Sequence, residues 1–407
     1  MYGWSIVKQC PILHHAFSSN FRAGKSLEME QQDLLNSDTP CLVLAVDKVD
    51  RNVIRMKHAL AEKNVGYRPH LKTAKSIKVA NRVMASTTGP ATVSTLREAE
   101  LFAAAGVRDI LYAVGIAAHK LRRVSALHKA GVNLAVLLDS VEQAQAVAEE
   151  SKRAGVVIPA FVEIDCDGHR SGIRPDDVET LISIGRALEN GGELRGVLTH
   201  AGLSYNSSDK SIIEMWAFRE RDAAVNAAET LRGAGFRVPI VSVGSTPTAL
   251  AAIDLTGVTE VRAGVFMFFD LFQTGVGICS LSDIALSVLA TVIGHQQGTG
   301  RLIIDAGWMA LSRDRGTASQ PVDQKYGLVC DINGVPYEDL LVLDANQEHG
   351  IAGLRLGSGA SIPNLPTGSK VRILPNHACA TAAQHERYLV VEEGTSVKEY
   401  WPRFNGW

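Results

Sequence analysis

The stretch Arg68-Pro69-His70-Leu71-Lys72-Thr73-Ala74-Lys75 decides how the rest of the chain is read. It continues a short apolar run at 65–68, and Pro69 just past that run marks a strand's C-terminal end. In a barrel of parallel strands that end carries the chemistry. A lysine placed there can form a Schiff base with a carbonyl compound and later act as a proton base. The plain alternative is a surface lysine, the reading that suits Lys75 and Lys78.

On either side of this stretch, short apolar runs alternate with amphipathic helical segments. Runs at 41–46, 65–68, 91–94, 110–113, 134–138, 160–164, 194–199 and 240–243 read as eight strands. Helical patterns at 49–62, 96–105, 119–130, 141–154, 175–189 and 213–234 lie between them. Asp47 and Asp139/Ser140 are placed to cap helices, and Gly106, Gly131, Gly155 and Gly235 follow helix ends. This rhythm predicts an α/β fold with a parallel sheet closed as a (β/α)8 barrel. A doubly wound open sheet is the competitor, weakened because no dinucleotide glycine fingerprint follows the first run. From about Ser282 the runs at 284–294, 302–305, 327–330, 339–343, 370–373 and 388–391 are joined by Gly, Pro and Asn turns. They predict a second, mostly antiparallel β domain. The expected division is an N-terminal extension at 1–37, a barrel at 38–281 and a β domain at 282–407.

A chain of 407 residues exceeds one ordinary domain, in keeping with this division. Hydrophobic content of 46% and charged content of 21% describe a globular protein. A net charge of −2 gives no basis for binding nucleic acid or an anionic membrane, and no apolar run reaches the ~20 residues of a membrane span. Cys10, Cys41, Cys166, Cys279, Cys330 and Cys379 lack disulfide-framework spacing, so a reducing, cytoplasmic setting is expected. Residues 1–27 hold no Asp or Glu and no secretory core; a loose tail or an organelle-targeting segment would fit them.

Several clusters could carry chemistry. Gly244-Ser245-Thr246-Pro247-Thr248 follows the last strand run, and its small residues let N–H groups and hydroxyls converge on a phosphate, although a Gly-Ser turn reads the same way. Gly264-Val265 offers another close backbone approach to an anion. Arg170, in Gly168-His169-Arg170-Ser171-Gly172, can reach a phenolate or carboxylate, or be an exposed loop arginine. His200 and Tyr205 follow the 194–199 run, where the imidazole could stack on a flat ring and the phenol bond its edge; a core histidine is the alternative. His377 and Cys379, two apart, would share one face of an extended segment, about 7 Å along the backbone. Two such ligands suit a catalytic metal with open positions rather than a structural zinc. A buried thiol beside an unrelated histidine is the bland reading. Asn346-Gln347-Glu348-His349 and Asp305 are further polar clusters, in a cleft or in turns. One lysine plus one metal-ligand pair points to pyridoxal phosphate chemistry with metal assistance.

Taken together, Thr39-Pro40, Arg-Pro-His-x-Lys-Thr at 68–73, Gly-His-Arg-Ser-Gly at 168–172, Gly-Ser-Thr-Pro-Thr at 244–248 and Pro-Asn-His-x-Cys at 375–379 resemble the metal-dependent D-amino-acid enzymes of fold type III. These are D-serine dehydratase, D-threo-3-hydroxyaspartate dehydratase and D-threonine aldolase. The resemblance spans roughly 38–405. It implies an alanine-racemase-like barrel, pyridoxal phosphate, a divalent metal, a D-amino-acid substrate and a homodimer. By the match, Lys72 is the Schiff-base lysine, His377 and Cys379 are metal ligands and Gly244–Thr246 is the phosphate cradle, while Arg170, His200 and Tyr205 surround the ring.

His-x-Cys at the metal pair resembles the dehydratases, whereas the aldolases resemble His-x-Asp. A thiolate favours zinc over manganese or magnesium. The expected reaction is elimination from a β-hydroxy D-amino acid to a 2-oxo acid and ammonia. The segment 93–100 and Asn346/Gln347 resemble the 3-hydroxyaspartate branch. An aldolase giving glycine and an aldehyde is the first rival and a non-catalytic pyridoxal phosphate carrier the second. The carrier is usually a lone barrel, which the second domain argues against. A racemase would need a second base for which no matching tyrosine is found.

Overall fold

A computed structural model describes residues 33–407; the calls on 1–27 lie outside the described residues. Strand β1 (Cys41–Ala45) is followed by a parallel set: β2 (Gly66–Tyr67), β3 (Ala91–Val93), β4 (Asp109–Gly115), β5 (Asn133–Leu138), β6 (Pro159–Ile164), β7 (Glu193–Thr199), β8 (Ile240–Val243) and β9 (Glu260–Val261). These eight pair in the order β2-β9-β8-β7-β6-β5-β4-β3. The quoted stretch closes the ring. On one side Arg68 N donates to Val261 O at 3.0 Å and His70 N to Ala263 O at 2.8 Å. On the other, Leu71 N donates to Thr92 O at 2.8 Å and Thr92 N to Pro69 O at 2.9 Å. Arg68 adds an ion-pair clasp, its Nε 2.9 Å from Glu260 and its Nη1 3.0 Å from Asp109. The barrel is a (β/α)8 barrel, as expected.

Both faces of this sheet are covered, which is why its strands read as continuous apolar runs rather than alternating ones. Leu111, Ala135, Leu137, Phe161 and Leu198 fill the barrel interior, while Ile110, Leu134, Val136 and Val162 pack outward among the helices. Helix punctuation follows local chemistry. Ser140 caps Val141–Ala154, which ends on Gly155 at φ 69°, a left-handed conformation that costs glycine little. Asp47 lies inside the first turn of Val46–Ala61 rather than at its cap and pairs with Arg51 at 2.7 Å.

The second sheet contains β1, β10 (Leu286–Gln296), β11 (Arg301–Ile304), β12 (Leu328–Cys330), β13 (Pro336–Ala345), β14 (Gly350–Leu354), β15 (Lys370–Leu374), β16 (Arg387–Val391) and β17 (Val397–Pro402). Long β10 pairs with both β15 and β11, so six of these strands close on themselves, and β1, β16 and β17 extend the sheet. The domain is mostly antiparallel, with β1 and β16 parallel.

One assignment from sequence is corrected. The run at 41–46 is not a barrel strand; it lies between β10 and β16 in the second sheet. The eighth barrel strand is the short β9, hidden in sequence because it has only two paired residues and carries Glu260. An apolar run buried on both faces does not say which sheet it joins. Among the described residues no helix is long and apolar enough to cross a membrane.

Candidate active site

A cavity of about 520 Å³ opens at the C-terminal ends of the barrel strands, walled on its far side by loops of the β domain. Lys72, Arg170, His200, Tyr205, Gly244, Ser245, Thr246, Gly264, Val265, His377 and Cys379 all line it. Residues more than 300 positions apart in the chain therefore face one volume. Asp305 and the 346–349 segment do not line it. Asn346 and Gln347 instead accept from the backbone of Trp308 and Met309 at 2.9 and 3.1 Å, which is turn chemistry.

Lys72 stands on a tight turn directly after β2, where Ala74 N and Lys75 N both donate to Leu71 O. His70, just before it, is held neutral: burial pushes its imidazole well below the ordinary value, and nearby cationic groups reinforce the effect. On the far side, Thr73 Oγ1 lies 3.2 Å from Cys379 Sγ, so the lysine turn and the thiol of the β domain touch.

The loops after β8 and β9 form the most polar part of the wall. Gly244 has φ +154°, and a Cβ there would overlap the Arg262 carbonyl; at Gly264 it would come within 2.8 Å of His70 O. Only glycine lets these backbones approach so closely. Thr246 Oγ1 is buried with no hydrogen-bond partner. Among the described residues the N–H groups of Gly264 and Val265 also make no hydrogen bond within the protein. Buried donors left open in this way call for a ligand with several acceptor oxygens, as a phosphate has. Thr246 N donates to Tyr205 Oη at 3.4 Å, which leaves the phenolic proton for a ligand. The residues present therefore fit the phosphate end of pyridoxal phosphate, at the last two barrel strands.

His200 Nδ1 donates to Gly244 O at 2.6 Å, so Nε2 is the unprotonated nitrogen. Burial outweighs that bond and lowers the imidazole to about 3, keeping it neutral. Tyr205, 6.0 Å from His200 between ring centroids, is pushed up by burial and stays a phenol. Arg170 sits at the rim with a mostly exposed guanidinium 3.6 Å from Glu163.

His377 and Cys379 meet, though not on an extended segment as the spacing alone predicted. His377 is the extended residue before the short helix Ala378–Ala382, and Cys379 lies in its first turn. Asp270 Oδ2 accepts from Ala378 N at 2.9 Å, while Pro375 O and Asn376 O accept from Leu271 N and Phe272 N. These bonds bend the chain so that the two side chains converge. Burial alone would raise the Cys379 thiol, but the bond from His377 and the charges of His377 and Lys72 bring it below its ordinary value. Burial likewise opposes the His377 cation, yet Asp314 at 2.6 Å and Cys379 raise it to about 11. The pair is an imidazolium beside a thiol made easier to ionise, a donor set from which a soft divalent ion displaces protons to bind. Among the described residues no third His, Cys, Asp or Glu completes a metal cluster. A metal held there keeps open positions, as a catalytic ion does.

Sequence reading missed Thr73, Glu220, Arg262, Asp270, Gln273 and Asp314. Glu220 is buried under the cradle and accepts from Ala201 N and Gly244 N. Arg262, also buried, donates to Ser242 Oγ and Thr199 O; desolvation lowers it to about 10, so it remains charged. Only Thr73, inside the quoted stretch 68–75, and Arg262, two residues before Gly264, carried any local signal.

The alanine racemase N-terminal domain model matches residues 44–271, and a serine dehydratase domain model matches 285–391. The chain belongs to the fold type III D-amino-acid dehydratase and aldolase family. Within this family it is 50% identical over 380 residues to D-threo-3-hydroxyaspartate dehydratase of Delftia sp. (strain HT23), covering 93% of this chain and 100% of that one. It is 30% identical to D-serine dehydratase of Dictyostelium discoideum, over 90% of this chain and 96% of that one. A solved structure of a D-threo-3-hydroxyaspartate dehydratase variant in its metal-free form superposes with TM-score 0.89 at 48% identity, covering 93% and 100% of the two chains.

Proposed function

We propose that this family member removes ammonia from a β-hydroxy D-amino acid, with 3-hydroxy-D-aspartate as the preferred substrate, leaving a 2-oxo acid. The observation that carries the reading is the shared cavity. Lys72, the open phosphate-type cradle at Gly244–Val265 and the His377–Cys379 pair face the same 520 Å³. The 50% identity to a D-threo-3-hydroxyaspartate dehydratase supports the choice of substrate.

Pyridoxal phosphate, when bound, supplies a carbonyl for the Lys72 amine and an electron sink for charge developing at the substrate Cα. A divalent metal supplies Lewis acidity at the departing β-hydroxyl, and the thiolate of Cys379 favours zinc. Lys72 carries the Cα proton, its amine standing on the catalytic face of the barrel and freed when substrate takes its place on the cofactor. His377 and Cys379, lining the same cavity, would hold the metal on the hydroxyl side of the substrate. Neutral His200 offers the ring a flat face and an unprotonated Nε2. Thr246, Gly264 and Val265 hold the phosphate end, and Tyr205 adds a neutral donor.

The test is product analysis with 3-hydroxy-D-aspartate, D-serine and D-threonine, with and without zinc. Ammonia and oxaloacetate from the first, dependent on added metal, are expected. Glycine and an aldehyde would replace this reading with an aldolase.

A further inference from the structure

We infer that Asp314 is the positioning residue of the metal pair, setting which nitrogen of His377 binds the ion. The inference rests on the reading of His377 and Cys379 as ligands and adds a group that touches neither substrate nor cofactor.

Asp314 belongs to the loop that follows the short helix Trp308–Leu311 of the β domain. Its carboxylate is fixed at both oxygens: Oδ1 accepts from Gly316 N at 2.9 Å, and Oδ2 takes the Nδ1 proton of His377 at 2.6 Å. Its own N–H donates to Ser312 Oγ at 2.9 Å, which anchors the loop backbone from which the side chain projects. Asp314, Gly316 and His377 all line the cavity, with the carboxylate on the Nδ1 edge of the imidazole. With Nδ1 committed, Nε2 is the nitrogen left for a ligand. A metal-bound histidine whose other nitrogen donates to a carboxylate is oriented and made a stronger donor; removing such a partner commonly weakens metal binding ~10–100-fold. The effect matters more here than in a four-ligand site, because two protein donors leave no third to hold the geometry if the imidazole turns.

The experiment measures zinc affinity of the pyridoxal phosphate-loaded protein by competition with a chromogenic chelator. It compares wild type, Asp314→Asn, Asp314→Ala and His377→Ala, with thermal midpoints recorded for each. A Co(II)-loaded sample of each supplies the cobalt–thiolate absorption as a signature of ligand geometry. Expected are one tight site in wild type and its loss in His377→Ala. Asp314→Ala should bind about 10–100-fold more weakly. Asp314→Asn, which keeps an acceptor for Nδ1–H but loses the charge, should fall between the two. A merely structural Asp314 would shift the thermal midpoint and leave affinity and the cobalt spectrum alone. Zinc affinity of Asp314→Ala within twofold of wild type, with His377→Ala deficient, overturns the inference alone. Wild-type affinity in His377→Ala overturns the ligand reading and the inference with it.

Discussion

Removing the carboxylate of Glu220 should loosen the phosphate cradle from beneath. Glu220 is 2% exposed. One oxygen accepts from Ala201 N at 2.9 Å and Gly244 N at 3.2 Å, and the other from Thr248 Oγ1 at 2.6 Å. In Glu220→Leu two buried N–H groups lose their only acceptor, whereas Thr248 keeps Ser245 as a partner. Each orphaned donor costs about 1–3 kcal/mol. Part of this is returned, because burial raises the Glu220 carboxyl and the leucine removes a costly buried group. The net expectation is a loss of about 2–4 kcal/mol in urea unfolding of the cofactor-free protein. Released from its tether, Gly244 no longer holds Thr246 and the His200 acceptor in place. Pyridoxal phosphate affinity should then fall at least ~10-fold, equivalent to about 1.4 kcal/mol. Glu220→Gln should be nearly neutral on both measures, since its carbonyl oxygen can accept both N–H groups and its amide can donate to Thr248. Unchanged stability and affinity in the leucine variant would refute the argument. Equal damage from glutamine would show that charge rather than hydrogen bonding is what matters.

Lys72→Ala should abolish the visible absorbance of the lysine-bound cofactor while the fold persists; a retained band in the purified protein would remove Lys72 from its role. Gly264→Ala would press a methyl to 2.8 Å from His70 O and 3.2 Å from Thr73 Oγ1, displacing the lysine turn. The kcat of that variant should fall by ~10–100-fold with a smaller change in stability, and wild-type kcat would contradict the packing argument. His200, held near 3 when folded against ~6.5 when unfolded, takes up a proton on unfolding between those values. Its stabilisation is complete above pH ~6.5 and is lost as pH falls toward 3, on the order of 3–5 kcal/mol in all. His200→Asn should flatten the dependence of unfolding free energy on pH across that window by about one proton, and an unaltered slope would contradict this assignment. Gln273 is 2% exposed, lines the cavity and has a buried Oε1 without a partner. Gln273→Leu should therefore raise the thermal midpoint of the ligand-free protein while increasing the substrate KM; a lowered midpoint with normal KM would show that the carboxamide serves packing instead.

The local residues by themselves predicted a parallel α/β barrel and a mostly antiparallel β domain, while Gly244–Thr248 suited a phosphate cradle and a plain Gly-Ser turn equally. A strand ended by Pro69 and helices started by Ser140 and stopped by Gly155 are short-range chemistry, readable wherever the chain goes next, whereas the bar to a Cβ at Gly244 comes from the distant Arg262 carbonyl. The same information did not place β1, because an apolar five-residue run satisfies either sheet equally well. Nor could it show that Thr73 meets Cys379, that Glu220 holds Gly244 or that Asp314 holds His377. Those contacts join segments 306, 24 and 63 positions apart. Packing of the β domain against the barrel mouth makes the first, packing of the helix Lys210–Gly233 on the barrel the second, and the fold of the β domain itself the third, since burial and hydrogen-bond geometry belong to the assembled structure and to no single stretch of it.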